Sequence, residues 1–201
     1  MAEVLVLFAT REGQTEKIAR RIAAVLEAKG HRVQLRDVDR SSRELDLRRY
    51  GAIIVGSPVR VGSYLRSVIR FVRAQREALE RVPSAFFSVS LAVAARTGSR
   101  KTDGRAETLR VVENFIRRTG WSPRRIELIA GALPYSKYNF VIRFVMRRIS
   151  AAAGGDTDTS RDYEYTDWNA VDRFASEFVE EALGARSARP PPGQAALLGA
   201  R

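Results

Sequence analysis

Apolar runs recur along this chain at a spacing that leaves room for one helix between neighbours, and that rhythm restricts the fold more than any other feature. Val4 to Ala9 is a near-continuous apolar run, as in a strand of a parallel sheet covered on both faces. Ile18, Ile22, Val25 and Leu26 then recur at helical spacing among Arg and Lys, and Gly30 stands where such a helix would stop. His31 to Asp37 alternates apolar and polar, as a half-exposed edge strand does, and Ala52 to Gly56 is a third strand, wholly apolar. Leu65 to Leu79 reads as a helix, Ala85 to Val93 as a strand, Ala106 to Arg118 as a helix and Ile126 to Leu133 as the fifth strand. Strands separated by helical patterns predict an α/β, doubly wound parallel sheet, with ligands bound in the crevice outside the carboxyl ends of its strands.

With 201 residues, 45% of them hydrophobic, the chain can bury one sizeable core but is short for two. The expected domain spans 1–184 and closes with a helix from Trp168 to Leu183. Between the fifth strand and that helix lies an insertion at about 135–160, and loops this long in a compact domain are usually functional. Residues 185–201, with Pro190-Pro191-Pro192, read as a disordered tail. The absence of cysteine removes disulfides, thiolate metal sites, iron–sulfur clusters and Cys nucleophiles. A formal net charge of +12 implies attraction to something acidic. The arginines are scattered over many elements, and no recognition helix, RNP motif or zinc finger points to nucleic acid. Met1-Ala2-Glu3-Val4 runs straight into a strand without a secretory pattern, and Arg interrupts every promising apolar stretch, so the expectation is a cytoplasmic protein with at most peripheral membrane contact.

The strongest local signal is the loop Thr10-Arg11-Glu12-Gly13-Gln14-Thr15, set between the first strand and the first helix. Hydroxyls and free backbone N–H groups at a helix N-terminus seat a phosphate without a metal. Thr10 and Thr15 can donate from hydroxyls, Gly13 permits a tight turn and Gln14 offers an amide. The two threonines would serve equally as plain helix caps. The loop is neither a GxGxxG turn nor a Walker loop, which disfavours nucleotide hydrolysis. Two further loops end strands at the same sheet edge: Ser57-Pro58-Val59-Arg60-Val61-Gly62, and the stretch Ser88-Val89-Ser90-Leu91-Ala92-Val93. They would flank a flat ring, although serines there also suit strand-end caps. Tyr64, Tyr135, Tyr138 and Trp121 are either stacking residues or core. His31, the only histidine, reads as a surface residue rather than a catalytic base. In 138–149, Val141, Ile142, Val145, Met146 and Ile149 share one helical face with Arg143 and Arg147 opposite, a pattern for an anionic bilayer surface or for packing on the domain itself.

Four motifs in order, Val4 to Thr15, Pro83 to Val89, Ala130 to Tyr135, and Gly154-Gly155-Asp156-Thr157-Asp158-Thr159 with Tyr165-Thr166-Asp167-Trp168, resemble the bacterial flavodoxin-like protoporphyrinogen oxidases. The resemblance runs from about Glu3 to about Leu183. It implies a flavodoxin-like five-stranded sheet in the order 2-1-3-4-5 and an FMN enzyme that removes six electrons and six protons from protoporphyrinogen IX, delivering them to menaquinone or ubiquinone in the membrane. Carried onto this chain, it implies that Thr10, Arg11, Glu12, Gly13, Gln14 and Thr15 hold the FMN phosphate, and that Ser88 through Val93 approach the isoalloxazine. Ser57, Pro58, Val59, Arg60 and Gly62 would flank it, and Asp156 and Asp158 of the insertion would lie near it. No catalytic side chain and no metal ligand is assigned, because flavin carries the redox chemistry. Arg11, Arg60, Arg96, Lys137 or Arg143 would pair with the substrate propionates. The location implied is the cytoplasmic face of the inner membrane, and a homo-oligomer is left open. The alternatives on the same fold are an electron-carrier flavodoxin and an NAD(P)H:quinone reductase.

Overall fold

Continuous apolar runs need cover on both faces, and the strands that carry them sit inside the sheet. The computed structural model describes residues 1–41, 45–94, 104–133 and 158–187. In it β1 (Glu3–Phe8), β3 (Ala52–Pro58) and β4 (Ser84–Ser90) are buried along nearly their whole length. The half-exposed β2 (Arg32–Asp37) and β5 (Arg125–Ala130) form the edges. All pair in parallel in the order β2-β1-β3-β4-β5, as expected.

Alternation along each strand divides the core into two layers. Leu5, Leu7, Ile53, Val55 and Phe86 face α3 (Arg66–Ala74), α4 (Arg76–Arg81) and α5 (Gly104–Thr119), which bring Val68, Val72, Leu79, Val112 and Phe115. Val4, Val6, Phe8, Ile54 and Phe87 face α1 (Gln14–Ala28) and the terminal α6 (Trp168–Ser187), which bring Ile18, Ile22, Leu26, Phe174 and Phe178. A short α2 (Val38–Ser41) follows β2. No helix among the described residues is long and apolar enough to cross a membrane.

The structure corrects several sequence boundaries. The helix expected over Leu65 to Leu79 is two helices meeting at Gln75, whose φ of −107° and ψ of 14° leave the helical region while its N–H still reaches Phe71 O at 2.9 Å. The fourth strand stops at Ser90 instead of Val93, because Ser90 Oγ accepts from Ala92 N at 3.2 Å and folds Leu91–Ala94 into a 3₁₀ turn. The fifth strand stops at Ala130. Gly131 N donates back to Ser90 O, its carbonyl accepts from Tyr165 N, and the chain changes partner to form β6 (Ala132–Leu133), antiparallel to β7 (Tyr163–Glu164). The terminal helix runs on from Leu183 to Ser187. Tyr135, Lys137, Tyr138, the 138–149 pattern, Arg96 and Asp156 lie outside the described residues.

His31 precedes β2, far along the chain's path from the strands' carboxyl ends, but it is half-buried and not a plain surface residue. Its Nδ1 is buried without a partner among the described residues, and burial, then the N-terminal amine and Lys29, lower its pKa from 6.5. A histidine whose folded pKa is depressed contributes stability that is present above the unfolded pKa and lost as pH falls through the folded value. Denaturant titrations between about pH 7.5 and pH 5 should therefore show the wild type losing stability relative to His31→Gln, with the sign of the difference set by the unfolded state's greater proton uptake.

Candidate functional site

The loop after β1 enters α1 through Gly13, which holds a left-handed φ of 98° at the helix N-cap. Thr10 Oγ1 accepts from Gly13 N at 3.0 Å, so the hydroxyl closes the loop on itself and keeps its own proton to donate. No side chain caps the helix. Lys17 N is the first amide bonded back, to Gly13 O at 3.0 Å, which leaves the N–H groups of Gln14, Thr15 and Glu16 without intrahelical acceptors. Plain capping by Thr10 or Thr15 is thus not what these residues do. The three amides, with the positive end of the helix dipole behind them, are the donor set a phosphate needs. Glu16, the acid in this turn, is drawn along the helix by Arg20, at 3.0 Å from Nε and 2.7 Å from Nη2.

The second loop is locked to both neighbours. Val59 N donates to Val89 O at 2.8 Å, and Arg60 Nη1 contacts Glu12 Oε1 at 2.5 Å, which ties it to the phosphate loop. Arg60 and Ser63 exchange backbone hydrogen bonds of 2.7 and 3.0 Å around Val61 and Gly62, both at positive φ (46° and 67°), the turn that suits a two-residue hairpin. Ser57 and Pro58 are buried, and Ser57 Oγ accepts from Leu65 N.

Ser88 is also buried, and its hydroxyl accepts from Tyr64 Oη at 2.8 Å. Desolvation pushes the Tyr64 hydroxyl far above its ordinary range, so it remains a donor. Its ring packs edge-on to Phe86 and Phe115, while Trp121 is fully buried and donates to Ser84 Oγ at 3.1 Å. Tyr64 and Trp121, the two of the four candidate stacking residues that lie among the described residues, are therefore core. Beyond Ser88 and Val89, the half-exposed Leu91, Ala92 and Val93 reach the crevice in the 3₁₀ turn. Gly104 at the start of α5 abuts that turn so closely that a Cβ would stand 1.9 Å from Ala92 O.

Sequence reasoning did not single out Thr166 as a site residue. Gln14 Nε2 donates to Thr166 Oγ1 at 2.9 Å, Thr166 donates in turn to Ala130 O at 2.8 Å, and Lys17 pairs with Glu164 at 3.1 Å. One amide hydrogen of Gln14 is thus committed within the protein, and the segment after the insertion is pinned to the phosphate loop. The signal was present only as part of the motif Tyr165-Thr166-Asp167-Trp168. Asp158 is exposed and accepts from Ser160 N at 3.0 Å and Ser160 Oγ at 2.7 Å; these bonds hold its carboxyl below the usual range. Its partners are local, and none of the described contacts joins it to the other loops. No cluster of metal-ligating side chains occurs among the described residues. The three loops leave the carboxyl edge of the sheet, the first with free helix amides and the second bonded to both of its neighbours.

Comparison with known proteins agrees with that geometry. A flavodoxin domain family model matches residues 5–160. The protoporphyrinogen IX dehydrogenase [quinone] of Escherichia coli (strain K12) is 35% identical over 177 residues, covering 88% of this chain and 94% of the relative. A Leishmania major protein of the same name is 36% identical over 180 residues, covering 87% and 74%. Among solved structures, a short-chain flavodoxin associated with a non-canonical PDU bacterial microcompartment aligns with a TM-score of 0.56 at 12% identity, over 90% of this chain and 99% of the other. The flavodoxin of Streptococcus pneumonia TIGR4 aligns at 0.54 and 13% identity with the same coverage. At such identities the structural likeness speaks for the fold alone.

Proposed function

Because the chain belongs to the protoporphyrinogen IX dehydrogenase [quinone] family of flavodoxin-domain proteins, we propose that it oxidises protoporphyrinogen IX to protoporphyrin IX, using FMN and a quinone acceptor. The observation that carries the reading is identity of 35% running through 94% of the Escherichia coli relative, over a fold whose first βα loop leaves three helix amides free. Bound FMN supplies the two-electron chemistry that no side chain of this chain could perform.

Thr10, Gly13, Gln14 and Thr15 hold the phosphate through hydroxyl and amide donors, with Arg11 adding positive charge and Glu12 anchoring Arg60. Ser57, Pro58, Val59, Arg60 and Gly62 form one wall of the ring site, and Ser88 through Val93 the other. Arg11 and Arg60, both at the crevice mouth, receive substrate propionates as charge-assisted pairs. A quinone with an isoprenoid tail resides in the bilayer, so the net charge of +12 serves to bring the protein to an anionic membrane face.

Anaerobic mixing of the FMN-loaded protein with protoporphyrinogen IX and a menaquinone analogue tests this, following porphyrin fluorescence and flavin absorbance together. Porphyrin should appear at a rate that depends on both enzyme and quinone. Flavin that stays bound while no porphyrin forms would sink the oxidase reading. Rapid bleaching by NADPH would point instead to a nicotinamide-dependent quinone reductase on the same fold.

A further inference from the structure

Ion pairs between elements join cations to acids over α1 and α6, whereas over α3 to α5 a row of arginines stands apart from the Arg81–Glu77 pair within α4. Over α1 and α6, Arg21 pairs with Asp172, Lys29 with Glu180, and Arg125 with both Glu177 and Glu181. Over α3 to α5 the exposed Arg66, Arg70, Arg73, Arg76, Arg110 and Arg118 have no acidic partner among the described residues, and α3 contains no acid at all. Apart from Met1, the large apolar side chains left exposed among the described residues are Val61 and Leu109. Leu109 lies on α5 beside Arg110. Val61 projects fully into solvent from the hairpin tip at a φ of 46°, a conformation that a β-branched residue adopts only at a cost. The adjoining Gly62 and Ser63 share a recess of about 250 Å³ with Asn114 and Arg118 of α5, which brings that tip to the arginine side of the sheet.

We propose that the α3–α5 face, with Val61 and Leu109 among its arginines, is the surface that docks on an anionic lipid bilayer. The inference rests on the quinone-linked function above and names the face that meets the membrane. Unpaired guanidinium groups seek phosphate, and nucleic acid would satisfy them as well as lipid headgroups would. The exposed aliphatic side chains decide between the two: a phosphodiester backbone gives them nothing, whereas the headgroup and acyl boundary buries them. This face differs from the 138–149 pattern and does not depend on it.

Sedimentation of the FMN-loaded full chain with vesicles tests the inference, comparing phosphatidylcholine alone with a mixture about one-third phosphatidylglycerol. The wild type should pellet with anionic vesicles only and leave them at high salt. The quadruple variant R66Q/R70Q/R73Q/R110Q should bind about a hundredfold more weakly, and Val61→Ser should weaken binding on the anionic vesicles as well. Equal partition of wild type and quadruple variant would overturn the assignment, as would failure of the wild type to bind, or its displacement from vesicles by a stoichiometric DNA duplex. Porphyrin formation with a water-soluble quinone, measured on the same preparations, keeps the two claims apart. No turnover by the wild type sinks the enzymatic reading, while turnover with unchanged partition of the variant sinks the face alone.

Discussion

Gly56→Ala should lower the stability of the fold by about 3 kcal/mol, the upper part of the range for overpacking a full core. Gly56 lies in β3 with Phe8 of β1 on one side and Phe87 of β4 on the other. The Phe87 ring lies across it, so that a Cβ would stand 1.9 Å from Cζ and 2.3 and 2.4 Å from the two Cε atoms. Phe87 is wholly buried in the core layer that also holds Val4, Ile18, Ile54 and Phe174. Thermal melting of the apoprotein would register the change as a fall of about 10 °C for a domain of this size. A double variant, G56A/F87L, supplies the check on cause: it should be less unstable than the two single changes added together, because the clash needs both partners. An unchanged melting temperature for Gly56→Ala would mean that the ring is not held where the structure has it.

Gly13→Val should yield a folded protein that has lost its flavin. Valine at a φ of 98° carries about 3 kcal/mol of backbone strain, which the loop can relieve only by giving up its conformation. That conformation holds Gly13 N on Thr10 Oγ1 and leaves the amides of Gln14, Thr15 and Glu16 without intrahelical acceptors. The helix itself stays anchored by Ile18, Ile22 and Leu26, all fully buried, so the damage is confined to its N-terminal loop. FMN affinity should fall about a hundredfold, read from fluorescence quenching on titration and from the colour retained after desalting. Gly13→Ala, with no β-branch, should fall between the two. Normal flavin retention by the valine variant would remove the loop from the phosphate site.

Much of this was legible in the chain. The continuous runs Val4 to Ala9 and Ala52 to Gly56, the alternation of His31 to Asp37 and the helical spacing of Ile18, Ile22 and Leu26 are local patterns, and each element formed near its expected place. The strand order came from family resemblance, since several parallel orders satisfy the same rhythm. The candidate phosphate loop was visible because its Thr, Gly and Gln residues follow one another in sequence. Less visible were the strand ends: nothing in Leu91-Ala92-Val93 says that Ser90 will take Ala92 N and end the ladder. Tyr64 and Trp121 were ambiguous for a related reason, an aromatic beside a site and an aromatic in a core being the same letter.

Apolar periodicity is a property of neighbours in sequence, and burial acts on it one residue at a time; from it alone the chain determined its elements and its parallel sheet. The contacts that join the site were decided only when the sheet closed. Arg60 meets Glu12 across 48 positions, and Gln14 meets Thr166 across 152. The split between paired and unpaired arginines arose in the same way, because α6 brings Asp172, Glu177, Glu180 and Glu181 to one layer while, among the described residues, no acid pairs with the arginines of α3. Ion pairs and hydrogen bonds act over a few ångströms, so which side chains they join depends on how helices stack on the sheet and on nothing that spacing along the chain encodes.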